Sequence, residues 1–315
     1  MNMVGYKGKG VSGWLAEASS YAMSLWADVC DTEADRETAG WLQGEAGAMV
    51  DRINAHLWDG DWYARGITDD GKHFGVSADE EGRIYLNAQS WAMLCGAADE
   101  DRQVRMLRAI DEQLETPYGV AMFAPAYTRM REDVGRLTQK WPGSAENGAV
   151  YNHAAAFYAA ALYHVEEGDR AYRVLRAMLT QPEVDDIAVR GQLPLYIPNY
   201  YRGAWHQHPR TAGRSSNLFN TGTASWFYRL VIEQLCGLRG TGDGVVIAPQ
   251  IPSDWDYCRF RRSFRGAIFE VDVERVGGLT NREIDVDQEP LEGDVLRHIE
   301  SGKTYKVRVR LPERA

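Results

Sequence analysis

Apolar residues recur at helical spacing from residue 11 to about 237: Trp14-Leu15, Tyr21-Ala22 and Leu25-Trp26, then Ala46, Val50, Ile53 and Leu57, then Trp91, Leu94 and Cys95. The same period predicts further helices over 101–115, 150–166, 168–180 and 223–237. Between them lie turns such as Asp59-Gly60-Asp61 and Asp69-Asp70-Gly71, and two aromatic stretches without helical period, 117–149 and 192–222. Loops of that length are uncommon in compact domains and usually carry function, so the chemistry is expected there. After Gly237-Leu238-Arg239-Gly240 the period changes. Val245-Val246-Ile247, Ile268 to Val273 and Tyr305 to Val309 alternate as strands do. The chain is therefore expected to hold a helical domain over 1–239 and a small all-β domain over 240–315. Antiparallel helix pairs ahead of a β cap suggest a toroid of the (α/α)6 kind, and too few helices are predicted to close it, so the ring is expected to be incomplete. No fixed-period repeat marks the sequence.

Composition narrows the function. The 315 residues are 44% hydrophobic and 25% charged, an ordinary globular balance, and 10 Trp with 16 Tyr supply the flat rings that a sugar pocket or a helical core would use. A formal charge of −10 and no Lys/Arg run speak against nucleic acid as a partner. Cys30, Cys95, Cys236 and Cys258 are widely spaced and form no CxxC pair, so they are expected to be reduced and buried in a cytoplasmic protein, with no metal site. The start MNMVGYKGKGVSGW has no apolar signal core, and no stretch is apolar enough for a membrane span.

Three places carry candidate chemistry. Lys140-Trp141-Pro142-Gly143-Ser144-Ala145-Glu146-Asn147-Gly148 runs through Ala149, Val150, Tyr151 and Asn152 to His153, which would place one imidazole in the first turn of a helix, where backbone N–H groups favour anions. A lone histidine there is more often a cap or a packed ring. Thr221-Gly222-Thr223 opens another helix and could form a second anion cradle, although the same turn serves as an ordinary N-cap. Arg136 and Lys140 stand four apart, so a helical turn would bring both cations to one side as a carboxylate clamp or a solvated basic patch. The stretch Pro194 to Tyr201 reads as a sugar platform or a packed loop.

Five segments in order resemble family 94 of the glycoside hydrolases, the inverting phosphorylases: Trp58-Asp59-Gly60-Asp61-Trp62-Tyr63, Leu86-Asn87-Ala88-Gln89-Ser90-Trp91, Pro142-Gly143 with Glu146-Asn147-Gly148 and His153, Thr221 to Trp226, and Ile251-Pro252-Ser253-Asp254-Trp255. The resemblance implies phosphate binding by His153, Thr221 and Gly222. The family's general acid is the last Asp of a Gly-Asp-Trp-Asn-Asp motif. A segment like Met1 to Trp14 follows that motif directly, so the acid is expected just ahead of Met1. No residue of this chain takes its role, nor do the N-terminal β-sandwich, the helical linker or the early barrel helices find a match. The chain is thus expected to be the C-terminal portion of such an enzyme and inactive alone. Where cellobiose phosphorylases hold the reducing-end sugar with Glu, Tyr and Lys, this sequence has Arg136, Lys140 and Ala145, an exchange that resembles the cellobionic acid phosphorylases. Asn199 stands where the family has a Gln contacting sugar hydroxyls. The implied reaction is cellobionic acid plus phosphate to α-D-glucose 1-phosphate plus D-gluconate, with phosphate as a substrate and no cofactor. Dimerisation is usual among relatives, and nothing in this sequence specifies it. The alternatives are a cellobiose- or chitobiose-type phosphorylase portion, a non-catalytic carbohydrate-binding module, or a hydrolase on a similar toroid using Glu146.

Overall fold

In the computed structural model, residues 3–181, 186–192, 196–216 and 222–313 are described. The chain divides into two compact units, 1–165 with 173–226 and 166–172 with 227–315.

The longer helices of the first unit among the described residues include α1 (Gly13–Thr32), α2 (Arg36–Leu57), α3 (Leu86–Leu94), α4 (Glu100–Gln113) and α5 (Asn152–His164). Short polar side chains start three of them by accepting orphan backbone N–H groups. Ser12 accepts from Leu15 N at 3.3 Å, Asp35 from Thr38 N at 3.2 Å and Asp99 from Arg102 N at 2.9 Å. α1 and α2 form a hairpin closed by Ala27, Cys30, Ala39 and Leu42, and the Ser20 hydroxyl donates to Ala46 O across it at 3.0 Å. α3 and α5 differ in kind. They pack on each other and are buried on nearly every side, α5 through Ala154, Ala155, Ala156, Ala159 and Ala161, whose small side chains let a neighbouring backbone come close. Their first turns are where the site forms.

The stretch 117–149 is not one irregular loop. Two-residue strands Gly119–Val120 and Phe123–Ala124 pair with Glu115–Thr116 and Ile84–Tyr85, and a 3₁₀ turn spans Arg136–Gln139. Another short pair, Val150–Tyr151 with Tyr200–Tyr201, ties the entry of α5 to the second long stretch. The helix expected over 223–237 is α-helical over Thr223–Arg229 and then widens to a π-helix over Leu230–Leu235, where Cys236 N donates to Val231 O at 2.8 Å, five residues back.

The second unit is a sheet domain. Its five-stranded sheet runs in the order Tyr257–Phe264, Ala267–Val276, Thr304–Pro312, Glu283–Val286, Glu289–Pro290, with the two longest central strands parallel and the other pairs antiparallel. A three-stranded sheet joins Leu238–Gly240, Gly244–Ile247 and Val295–Arg297. Alternation puts Phe269, Val271, Val273, Tyr305, Val307 and Val309 into the core. The opposite face carries rows of alternating charge, with Arg259–Asp272 at 2.6 Å and Arg310–Asp285 at 2.7 Å among its pairs. The Ser253-Asp254-Trp255 segment is fixed within this unit: Ser253 N donates to Asp169 Oδ1 at 2.6 Å, and Trp255 meets Tyr172 edge-on at 5.2 Å.

All four cysteines are free. Cys30 is buried as expected, whereas Cys95, Cys236 and Cys258 are only half-buried, Cys258 packing at the margin of the sheet-domain core. Among the described residues no helix is long and apolar enough to cross a membrane.

Candidate active site

Two of the sequence segments lock to each other and thereby place an arginine. Trp58 to Tyr63 turns the chain back after α2, with Asp59 N donating to Trp62 O at 2.9 Å and Ala64 N to Leu57 O at 2.7 Å. Gln89, fully buried in α3, then accepts from Tyr63 N at 2.9 Å through Oε1 and donates through Nε2 to Tyr63 O at 2.9 Å and Tyr85 O at 3.0 Å. The side-chain amide replaces a missing strand, satisfying both backbone groups of one buried residue. Trp62 Nε1 reaches Gly75 O at 3.1 Å. Arg65 follows directly, its N donating to Phe74 O at 2.9 Å and its O accepting from Gly13 N at 3.0 Å.

Asn147 does for the Glu-Asn-Gly loop what Gln89 does for α3. Its Oδ1 accepts from Tyr127 N at 2.9 Å, while Nδ2 donates to Tyr127 O at 2.9 Å and Lys140 O at 2.7 Å. Ser144 to Asn147 makes a tight turn closed by Asn147 N to Ser144 O at 3.0 Å, with Ala145 at φ 49°. The loop rests on the backbone at Gly203, whose N donates to Gly143 O at 2.9 Å.

These elements surround a cavity of about 350 Å³. Its polar and charged lining is Trp14, Arg65, Tyr85, Asn87, Glu146, Tyr151 and His153, and its apolar lining is Met122, Leu137, Ala154 and Phe157. His153 sits in the first turn of α5, half-buried, with its ring 4.5 Å from that of Phe157. Phe157 is backed in turn by Trp226 at 5.0 Å, Trp91 at 5.2 Å and Trp14 at 6.4 Å. Burial lowers the His153 imidazole below its usual value, so at neutral pH the ring is uncharged and offers one N–H donor. Gly222 lies against the same ring: a Cβ built there would stand 2.8 Å from His153 Cε1 and 2.9 Å from Nε2. Two residues 69 positions apart in the sequence, His153 and Gly222, therefore share one place. Thr221 lies outside the described residues.

The other expected residues fall differently. Arg136 and Lys140 do not share a helical face, because Arg136–Gln139 is a 3₁₀ turn of three residues per turn and Lys140 beyond it is extended at ψ 149°. Arg136 is exposed and Lys140 half-buried, and it is Leu137 between them that reaches the cavity. Asn199 O accepts from Asn152 N at 3.0 Å, and the Asn199 side chain bonds the Tyr151 hydroxyl, partly offsetting the rise that burial imposes on that phenol. Tyr151, which lines the cavity, stacks on Tyr200 at 6.4 Å with an interplanar angle of 8°.

Sequence reasoning missed Arg65, Trp14, Asn87 and Tyr151. Trp14, Asn87 and Tyr151 lie in segments that stand out as motifs and Arg65 lies just past one, but nothing in their spacing marks a convergence that long-range packing creates.

A carboxyl whose charge acts on Arg65, that of Glu17 in α1, is buried at 0% exposure, and neither oxygen has a hydrogen-bond partner among the described residues. Desolvation raises its pKa well above the ordinary carboxyl value of 4.5, with the Arg65 charge pulling the other way. A raised folded-state pKa means that Glu17's contribution to stability is full below about pH 4.5 and is lost as pH rises through the folded value. Glu17→Gln is expected to be more stable than the wild type at pH 8 and to lose that advantage near pH 4.5, as read from urea midpoints. A wild type that gains on Glu17→Gln as pH rises would contradict the burial argument.

Comparison with known proteins gives two family matches. Residues 1–237 match the model of the glycosyl hydrolase 94 superfamily catalytic domain, and residues 238–280 that of the glycosyl hydrolase family 65 C-terminal domain. A cellobionic acid phosphorylase of Neurospora crassa is 54% identical over 99% of this chain and 39% of its own length. A 3-O-beta-D-glucopyranosyl-beta-D-glucuronide phosphorylase of Paenibacillus borealis is 34% identical over 99% of this chain and 40% of its own, and an N,N'-diacetylchitobiose phosphorylase of Vibrio proteolyticus 28% identical over 91% and 36%. The chain thus spans only 36–40% of the length of these relatives. Among solved structures a sialidase chain aligns with a TM-score of 0.53 at 15% identity, covering 79% of this chain and 22% of that one, a likeness of fold alone.

Proposed function

Because the chain belongs to the glycosyl hydrolase 94 superfamily, we propose that it supplies the phosphate and acceptor side of an inverting disaccharide phosphorylase, converting cellobionic acid and phosphate to α-D-glucose 1-phosphate and D-gluconate. The observation that carries this reading is the meeting of His153 and Gly222 at a cavity beside the start of α5. An uncharged imidazole donor and helix N-terminal N–H groups suit a phosphate oxygen. In this reading Thr221 adds its hydroxyl, and the helices of residues 1–239 form part of an (α/α)6 toroid followed by the β domain 240–315.

In the reaction an acid protonates the glycosidic oxygen while phosphate attacks the anomeric carbon from the opposite face, which inverts it. Phosphate is itself the nucleophile, so no base carboxylate and no cofactor is called for. Holding phosphate in line is an orientation effect of several kcal/mol.

The direct test is a chimera that joins this sequence to the remainder of the Neurospora relative. It is expected to release glucose 1-phosphate from cellobionate only when phosphate is present. Glucose formed without phosphate would favour a hydrolase using Glu146, and a folded chimera without any turnover would leave a binding module.

Acceptor choice is read from Arg136, Lys140 and Asn199. In the chimera Arg136→Glu is expected to raise KM for cellobionate about 10-fold, the worth of one exposed-to-half-buried charge contact, and to leave any cellobiose activity unchanged. Equal effects on both substrates would remove the clamp from the reading.

A further inference from the structure

Among the described residues lining the cavity, Arg65 and Glu146 are the two with charged side chains, and Arg65 is 5% exposed. Its guanidinium is held in place by neutral partners, and Glu17, a carboxyl whose charge acts on it, is itself buried and pushed toward its neutral form by desolvation. Nη1 donates to Ser12 Oγ at 2.8 Å and Cζ lies 5.4 Å from the centre of the Trp14 ring. Among the described residues no carboxylate lies within salt-bridge distance of it. The backbone is pinned on both sides, by Phe74 O and Gly13 N, and Gly75 comes so close that a Cβ there would stand 2.6 Å from Arg65 Cβ.

A buried charge without a counter-ion is costly, and folded proteins retain one where a ligand supplies the opposite charge. Burial lowers the Arg65 pKa to about 10, which leaves it charged at neutral pH. Two neighbours in the lining are also incompletely bonded: Trp14 Nε1 and Asn87 Oδ1 have no hydrogen-bond partner among the described residues. An indole N–H suits an anionic oxygen, and an amide carbonyl suits a hydroxyl or a protonated oxygen. His153, uncharged, brings a hydrogen bond to the same cavity but no charge.

We propose that Arg65 is the charge-bearing ligand for an oxyanion in this cavity, with Trp14 Nε1 and His153 as donors beside it; this rests on reading the cavity as the substrate site. The oxyanion has two possible sources, inorganic phosphate and the carboxylate of an aldonate, and Arg136 with Lys140 competes only for the second. Phosphate is the expected occupant, because His153 and Gly222 meet at the same place.

The test is calorimetric titration of the 315-residue chain with inorganic phosphate and, separately, with gluconate. Arg65→Gln is expected to weaken phosphate binding about 10- to 100-fold, the range for a charge-assisted hydrogen-bonded contact, and Arg65→Lys to weaken it less. Loss of gluconate rather than phosphate binding in Arg65→Gln would uphold the oxyanion role and move it to the aldonate. Unchanged binding of both by a folded Arg65→Gln overturns the proposal and leaves the phosphate reading of His153 and Gly222 standing. If the wild type binds neither anion, the site reading itself falls and the proposal with it. Should Arg65→Gln not fold, the wild type still decides. With ¹⁵N-labelled arginine, the Arg65 Nε–H resonance, assigned by its absence from the Arg65→Lys spectrum, is expected to move with added phosphate, and a stationary signal overturns the proposal.

Discussion

The Gly222→Ala chain is expected to bind phosphate about 100-fold more weakly than the wild type in calorimetry, with its fold intact, as befits the loss of two hydrogen bonds to a charged ligand. The backbone itself permits alanine, since Gly222 is not among the glycines held at positive φ. The penalty is local and falls on the imidazole. A methyl group 2.8 Å from Cε1 and 2.9 Å from Nε2 would have to push the His153 ring aside. The ring cannot yield, because Phe157 stands 4.5 Å behind it and is itself boxed by Trp226, Trp91 and Trp14. The methyl would also occupy the space where an anion meets the Nε2 edge. Undiminished phosphate binding by a folded Gly222→Ala chain would mean that the meeting of the two residues is packing and not a site.

A large loss of stability is expected from Gly203→Ala, by about 3 kcal/mol or more in urea denaturation, the upper range for forcing atoms into a filled space. A Cβ there would lie 2.0 Å from Gly148 O and 2.9 Å from Ala149 Cα, both main-chain atoms that cannot rotate away. Relief would require the Glu-Asn-Gly loop to lift off, breaking Gly203 N to Gly143 O and Ala204 N to Gly148 O. Since that loop brings Glu146 to the cavity and leads into His153, phosphate binding is expected to fall together with stability. A Gly203→Ala urea midpoint within error of the wild type would show that the two strands of loop have room to part.

What the sequence reveals here depends on how much solvent each element meets. α2 and α4 are legible because one face is wet, so their apolar positions recur with the helical period. α3 and α5 are buried almost all round; the spacing of Trp91, Leu94 and Cys95 and the run over 150–166 predict helices there, but with apolar residues on nearly every side the period does not show which face meets the site. The strands Ala267–Val276 and Thr304–Pro312 alternate plainly, but their parallel pairing spans a crossover that no local signal encodes. The spacing of Arg136 and Lys140 suggested a shared face because it assumed an α-helical turn, and the chain makes a 3₁₀ turn there instead. His153 and Gly222 could be singled out as helix-entry residues. Arg65 could not, since its value lies in burial, and burial is set by Gly13 and by Phe74 with Gly75, arriving from two other segments.

The hold of Asn147 on Tyr127 and Lys140 also governs how the polypeptide ages. Asn followed by Gly is the pair most prone to succinimide formation, in which the glycine nitrogen attacks the side-chain carbonyl and ammonia departs. Here the departing nitrogen is bound to two carbonyl oxygens, Tyr127 O and Lys140 O, and the carbonyl under attack is occupied by Tyr127 N. Ring closure therefore has to wait for the loop to open, and the Asn147-Gly148 pair should deamidate at the rate of local unfolding rather than at that of a free peptide. Once it does, a carboxylate would face two carbonyls it cannot bond, so the chemical lesion and the loss of the loop would come as one event.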